Sequence, residues 1–280
     1  MGSLDGKVVI VTGGAGGIGS GTCRLLAEKG AAVVVSDLPL MKPELLAEEL
    51  RGDGHRAIAV EADITDEAQV EAMIQTAKDT FGALHGLHAN AAATHLVRDD
   101  GLLTELSRAD FEEQFQVNII GTWLCCKHAI PVMIAGGGGS IVATSSAAAL
   151  RTDMQKSAYG VTKAGVGVLM KTVATQYGKQ GIRANTVLPG FIATPGTLRL
   201  PENFKQVLTD NILTPEFGGP EAIGSLVAYL LSDEARYLQG QEILVDGGMN
   251  THVVQLAYTN TKTGALTYGA SAAERHQTGG

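Results

Sequence analysis

A tyrosine and a lysine stand four residues apart in Tyr159-Gly160-Val161-Thr162-Lys163. On a helix that spacing places both on one face. A phenol with a pKa of about 10 is a poor base at neutral pH. A nearby ammonium favours the phenolate, so such a tyrosine can serve as a general acid or base. Ser146 lies thirteen residues upstream. It follows the β-branched run Ser140–Ser145 (SIVATS), read as a strand. Strand ends in parallel sheets point at the ligand crevice. The three residue types suit proton transfer at an oxygen, provided the fold brings them together.

A second feature stands near the N-terminus, in Thr12-Gly13-Gly14-Ala15-Gly16-Gly17-Ile18-Gly19. It follows the apolar run Lys7–Thr12 and opens the helical stretch Ile18–Lys29. That is the context in which glycines permit a tight turn and let backbone N–H groups approach a pyrophosphate. The next predicted strand ends at Asp37, eighteen residues beyond Gly19. A carboxylate there accepts hydrogen bonds from ribose hydroxyls and repels a 2′-phosphate. Neither Ser36 nor Leu38 offers a positive charge to hold one, so NAD is expected rather than NADP. Asp63, just past the third predicted strand, is a weaker candidate for the adenine edge. A cationic nicotinamide would favour the Tyr159 phenolate in the same way as the ammonium does.

The elements that must position these residues are legible as an alternation. Seven short, continuously apolar runs alternate with helical patterns, which implies a parallel sheet covered on both faces. The expected fold is α/β: a Rossmann-like doubly wound parallel sheet of about seven strands in a single domain over residues 1–250. A C-terminal tail, 251–280, is richer in threonine, alanine and glycine. Phe111–Ala135 and Ser157–Gln180 read as long helices, and Leu84–Ala89 as a strand despite His85 and His88. The run Gly136–Gly139 reads as the turn that feeds Ser140–Ser145.

Composition excludes other classes. The 280 residues include 36 glycines but no G-X-Y period, so a collagen-like fibre is out. The net charge is −8 and there is no Lys/Arg cluster, which argues against nucleic acid or an anionic membrane as partner. No apolar stretch looks long enough to span a membrane. Met1–Gly6 has no leader pattern, and Cys23, Cys125 and Cys126 read as free buried thiols, so a cytoplasmic protein is expected. No metal-ligand set is visible, and none is expected.

In order and spacing, Thr12–Gly19, Asp37, Asp63, Asn90-Ala91, Asn118, Ser146, Tyr159/Lys163, Pro189–Thr194 and Asp246-Gly247-Gly248 match one family. Over about residues 4 to 250 the chain resembles the short-chain dehydrogenases/reductases. The resemblance implies that Ser146 donates a hydrogen bond to the substrate oxygen and that Tyr159 exchanges its proton. Lys163 would lower the tyrosine pKa and hold the nicotinamide ribose, and Asn118 would organise a proton relay. Gly13, Gly17, Ile18, Gly19, Asp37, Asp63, Ile64, Asn90, Ala91, Pro189, Gly190, Ile192 and Thr194 would complete the cofactor site. Ala148 and Phe191 would face substrate beside Ser146 and Tyr159. The family commonly has Asn-Asn-Ala-Gly where this chain has Ala89-Asn90-Ala91-Ala92. That departure and the two histidines put the hydrogen bonding under the adenosine side in doubt.

The remaining substrate wall is expected from Ala147–Leu150, Met154 and the segment Pro195–Pro215, with Leu198, Leu200, Phe204 and Leu208. Arg151 and Arg199 are the only arginines near it, and they read as solvated rather than anion-binding. These walls are mostly apolar, so an apolar secondary alcohol or ketone is expected, cyclic ones included. An NADPH-linked ketone or 3-oxoacyl reductase is the alternative, and a non-catalytic NAD-binding sensor or scaffold is a second one. The helix from Ser157 is apolar nearly all round, which suggests a homotetramer or homodimer. The tail could form an arm on a partner subunit.

Overall fold

Val8–Thr12 (β1) is buried at all five positions and is flanked on both sides by other strands. A strand with no solvent face has no reason to alternate polar with apolar residues, hence Val-Val-Ile-Val. The computed structural model describes residues 2–97, 99–152, 154, 156–252, 258–259 and 266–267. Its main sheet continues with Ala32–Asp37 (β2), Ala57–Glu61 (β3), Gly86–Ala89 (β4), Gly139–Thr144 (β5), Ile182–Pro189 (β6) and Glu242–Val245 (β7). All seven strands are parallel, in the order β3-β2-β1-β4-β5-β6-β7. The chain leaves β1 toward one edge and returns to pair β4 with its other side. A crevice opens at such a reversal, beyond the carboxyl ends of the strands. The expected seven-stranded Rossmann-like sheet is therefore present.

The helices cover both faces. Gly17–Glu28 (α1), Pro43–Gly52 (α2) and Pro220–Leu231 (α8) share one apolar layer, including Leu26, Leu46, Leu50, Ile223 and Val227. Glu67–Phe81 (α3), Thr122–Ala135 (α5) and Ser157–Tyr177 (α6) form the other, including Met73, Leu124, Met133 and Met170. Asp66 caps α3 by accepting from the N–H groups of Ala68 and Gln69. α1 and α8 approach closely, because a Cβ on Gly21 would come within 2.4 Å of Pro220. Arg108–Phe115 (α4) precedes α5, and Glu202–Thr209 (α7) lies in the segment before α8.

Two expectations need adjustment. Phe111–Ala135 is not one regular helix: α4 and α5 are joined by a π-helical turn, Gln116–Gly121. Helical periodicity in the sequence has no mark for a single i→i+5 turn. The continuous winding Arg108–Ala135 is also long and apolar enough to cross a membrane, against the expectation that no stretch is. Half of its most apolar window is buried inside the fold, as in a core helix. Likewise His85 precedes β4 rather than lying in it, and its ring Nδ1 accepts the N–H of Val8 at 3.0 Å.

The three cysteines are free and buried. Beyond β7 the described residues include one antiparallel pairing, Tyr258–Thr259 (β8) with Leu266–Thr267 (β9). Of the expected partner arm, Val253, Val254, Leu256 and Tyr268 lie outside the described residues. Leu87, in the central strand β4, is fully buried. Leu87→Ala should lower the unfolding free energy by about 2–5 kcal/mol. Urea titration should read this as a lower midpoint at unchanged slope.

Candidate active site

The glycine turn bridges β1 and α1 directly over the reversal. Gly13 has φ of +63°, and a Cβ there would lie 2.9 Å from the Ala91 Cα. Gly19 sits in the first turn of α1, where a Cβ would meet the Gly13 carbonyl oxygen at 1.9 Å. Only glycine fits either place. The turn is tied to β2: Gly14 N–H donates to Ser36 O at 2.8 Å, and Ala15 N–H to Asp37 Oδ2 at 3.0 Å. Burial raises the Asp37 carboxyl above its ordinary value, opposed by the bonds from Leu38 and Ala15 N–H. Asn90 holds the turn from the β4 side, its Nδ2 donating to Thr12 O and Gly13 O at 3.2 Å each.

From this turn a cleft of about 2910 Å³ runs across the strand ends. Gly13, Gly17, Ile18, Asp37, Asp63, Ile64, Asn90 and Ala91 line one end, with no Lys or Arg beside Asp37. Ser146, Ala148, Tyr159, Lys163, Pro189, Gly190, Phe191, Ile192 and Thr194 line the rest. Asp63 is engaged locally, accepting from Thr65 N–H and Oγ1. Gly19 and Asn118 do not reach the wall; both stand behind it. A glycine cradle beside a carboxylate at one end and a buried cation farther along the cleft fit a dinucleotide.

Ser146 and Tyr159 both line the cleft. Burial pushes the Tyr159 phenol up, and the neighbouring Ser146 hydroxyl works against that rise. Ser146 Oγ also accepts the N–H of Ala148 at 3.2 Å. Lys163 is 2% exposed. Its Nζ donates to Thr144 O at 2.9 Å and stands 5.9 Å from the Tyr159 ring centroid. Burial without a facing carboxylate pushes its pKa down to about 8. Neighbouring Ser145 is easily confused with Ser146 in sequence. Both serines line the cleft, but the Ser145 Oγ donates to Lys163 O at 2.7 Å, so its hydroxyl is committed to α6.

Thr144 is a junction that motif reading missed. Its carbonyl holds Lys163, and its hydroxyl donates to Asn90 Oδ1 at 3.1 Å while meeting His88 Nε2 at 2.8 Å. Since the hydroxyl proton goes to Asn90, we assign the Nε2–H tautomer to His88. Its Nδ1 is then a bare buried acceptor, and burial pushes the pKa down to about 3. Asn118 Oδ1 accepts from Ala93 N–H at 3.0 Å, and its Nδ2 donates to Thr162 Oγ1 at 3.0 Å. Thr162 in turn donates to Tyr159 O at 3.0 Å. The amide of Asn118 is thus engaged with the protein on both atoms.

The substrate end departs in part from expectation. Ala147, Ala148, Phe191, Leu200, Phe204 and Leu208 line the cleft, but Leu150, Leu198 and Met154 do not. Met154 is 91% exposed. Arg151 is committed to Asn250 O at 2.8 Å, whereas Arg199 lines the cleft. Sequence reading missed the opposite wall: Val97, Leu103, Leu106 and Phe111, together with Met249. It also missed Asp100, a buried carboxylate on the same loop. The apolar residues of 97–106 were the available signal, in a stretch without periodicity.

The comparisons agree with the geometry. A family model described as enoyl-(acyl carrier protein) reductase matches residues 13–250. The 7alpha-hydroxysteroid dehydrogenase of Bacteroides fragilis is 36% identical over 253 residues, covering 90% of this chain and 97% of that one. A cis-4-hydroxycyclohexanecarboxylate dehydrogenase of Sinomonas cyclohexanicum is 38% identical over 242 residues, covering 86% and 96%. A solved short-chain type dehydrogenase/reductase from Mycobacterium ulcerans superposes with a TM-score of 0.83 at 30% identity, covering 89% and 91%. The chain belongs to the short-chain dehydrogenase/reductase family, whose members bind a nicotinamide cofactor and act on small molecules.

Two outcomes follow from this geometry. Gly19→Ala should weaken NADH binding by an order of magnitude or more, measured by fluorescence titration. The second concerns Lys163. Its folded pKa of about 8 lies below the ordinary lysine value of 10.5. Between those values the unfolded chain holds a proton that the folded chain has released, so folding gains from rising pH. Below pH 8 the burial penalty is complete. Melting temperatures of wild type and Lys163→Met, compared from pH 7 to 10.5, should shift steadily in favour of wild type. A pH-independent difference would count against a depressed Lys163.

Proposed function

We propose that the protein is an NAD-dependent alcohol dehydrogenase. It would interconvert an apolar secondary alcohol, cyclic ones included, with its ketone. The hydroxyls of Ser146 and Tyr159 beside buried Lys163, in one cleft with Asp37, carry this reading. NAD, when bound, supplies the hydride acceptor or donor at its nicotinamide ring. Asp37 would take the adenosine ribose, Asp63 and Ile64 the adenine, and the turn Gly13–Gly19 the pyrophosphate, with Asn90 and Ala91 alongside. Pro189, Gly190, Ile192 and Thr194 would hold the nicotinamide.

In oxidation Ser146 donates to the carbinol oxygen and Tyr159 removes its proton; in reduction Tyr159 returns it. A substrate oxygen near these hydroxyls feels a positive potential from Lys163 below, which eases charge build-up. The phenolate gains from the same charge. Asn118 would order the proton relay behind the lysine. Ala148 and Phe191, with the leucines of the cleft, exclude water. The named activities of the steroid and cyclohexanecarboxylate relatives support a cyclic substrate.

A 33% identical relative named as the 3-oxoacyl-[acyl-carrier-protein] reductase of Thermotoga maritima favours a second reading, an NADPH-linked ketone or 3-oxoacyl reductase. Asp37 and the lack of a lining cation beside it argue for NAD. We further propose a cytoplasmic homotetramer or homodimer, since Val161 and Val168 leave an apolar face of α6 exposed.

A screen of secondary alcohols with NAD and NADP, followed at the NADH absorbance, tests the activity. Tyr159→Phe should lower kcat by about 10²–10⁴ and leave NADH affinity within about twofold. A tyrosine variant that still turns over at the wild-type rate would refute the proton-transfer role. Asp37→Ala should narrow the NAD:NADP ratio of kcat/KM by about tenfold or more. An NADP preference in wild type would favour the second reading.

A further inference from the structure

The first turn of α6 carries Tyr159, and its N–H groups have no intrahelical acceptors. The residue before it, Lys156, provides no side-chain cap. The cap comes from another part of the chain. Asp100 Oδ1 accepts the N–H groups of Ser157 at 2.9 Å and Ala158 at 3.0 Å, and Oδ2 accepts that of Tyr159 itself at 2.7 Å. Asp100 is 2% exposed. A carboxylate is driven into the interior only where several donors replace its water, and three do here. Alongside it, Ser157 Oγ donates to Gly101 O at 2.9 Å.

Asp100 also belongs to the loop that forms the substrate wall. Val97, Leu103 and Leu106 line the cleft on either side of it in sequence. The loop folds on itself, Glu105 and Leu106 N–H both donating to Leu102 O. One side chain therefore joins the wall that touches substrate to the backbone of the residue that exchanges its proton.

We propose that Asp100 is a positioning residue for the reaction: it fixes Tyr159 through the main-chain amide and locks it in register with the substrate-facing residues Leu103 and Leu106. The proposal rests on the role of Tyr159 argued above. Asp100 acts only through the main chain and touches none of the reacting groups described. Losing it lets the first turn of α6 drift, and displacements on the order of 1 Å in a reacting group cost about 100-fold in rate.

The experiment uses the full-length protein and the best alcohol from the screen, or cyclohexanol. Asp100→Ala should lower kcat by about 100-fold, with NADH affinity and KM changed less than about threefold. Asp100→Asn should fall between wild type and alanine, because the amide presents an N–H₂ to one of the N–H donors. Ser157→Ala, which cuts only the neighbouring tie, should keep kcat within about twofold. Hydrogen exchange provides a readout that needs no turnover: the amides of 157–159 should exchange faster in Asp100→Ala, while those of 163–173 stay protected. Equal losses in NADH affinity and kcat, or unchanged exchange at 157–159, would overturn the proposal. So would a Ser157→Ala loss as large as that of Asp100→Ala. A wild-type protein inactive on every alcohol would instead refute the dehydrogenase reading, and the exchange result would still decide whether Asp100 anchors the turn.

Discussion

Everything at the centre of the cleft depends on one buried ammonium. Lys163 is enclosed, and the Thr144 carbonyl accepts from it at 2.9 Å. A cation so placed costs free energy, and its lowered pKa records that cost. The fold sustains it because β5 and α6 are held together from both ends. Ser145 donates to Lys163 O while Lys163 reaches back to Thr144. The last residue of β5, the residue after it and one helical residue thus make a closed clasp. Tyr159, one helical turn earlier, inherits its location from that clasp.

The same threonine connects the clasp to the cofactor end. Thr144 Oγ1 donates to Asn90, and Asn90 donates to the carbonyls of Thr12 and Gly13. Few atoms therefore separate the residue that moves a proton from the turn that would hold the pyrophosphate. His88 lies beneath and gives Thr144 the donor it would otherwise lack. The unusual histidine on β4 leaves the local hydrogen bonding intact, by supplying one partner at the cost of a bare Nδ1.

Much of this was legible in the sequence, for a physical reason. Parallel strands buried on both faces need unbroken Val, Ile and Ala, and that made the seven-stranded sheet readable. Glycines at the phosphate turn are dictated by steric contacts so short that the pattern is nearly obligatory. Ser146, Tyr159 and Lys163 were readable because α6 and the end of β5 are local structures with fixed spacing. Asp100 was not. It meets Tyr159 across 59 residues, and no periodicity connects a loop to the helix it caps. The wall made by Val97, Leu103 and Leu106 was missed for the same reason.

The π turn at Gln116–Gly121 has a consequence for how this long helix meets its surroundings. A regular helix has one angular phase, so the face it buries at one end dictates the face it buries at the other. Here α5 turns Leu124, Cys125, Ala129 and Met133 to the sheet, while α4 turns Phe111, Glu112 and Phe115 to the cleft. One widened turn uncouples the two. The inner half can answer to the core and the outer half to the ligand, each set at its own angle. The cost is a local break in the winding, and Asn118 sits inside that break, spending its amide on the loop at Ala93 and on α6 at Thr162. The helix works as two rods on a common axle, and that asparagine is the pin that holds their relative rotation.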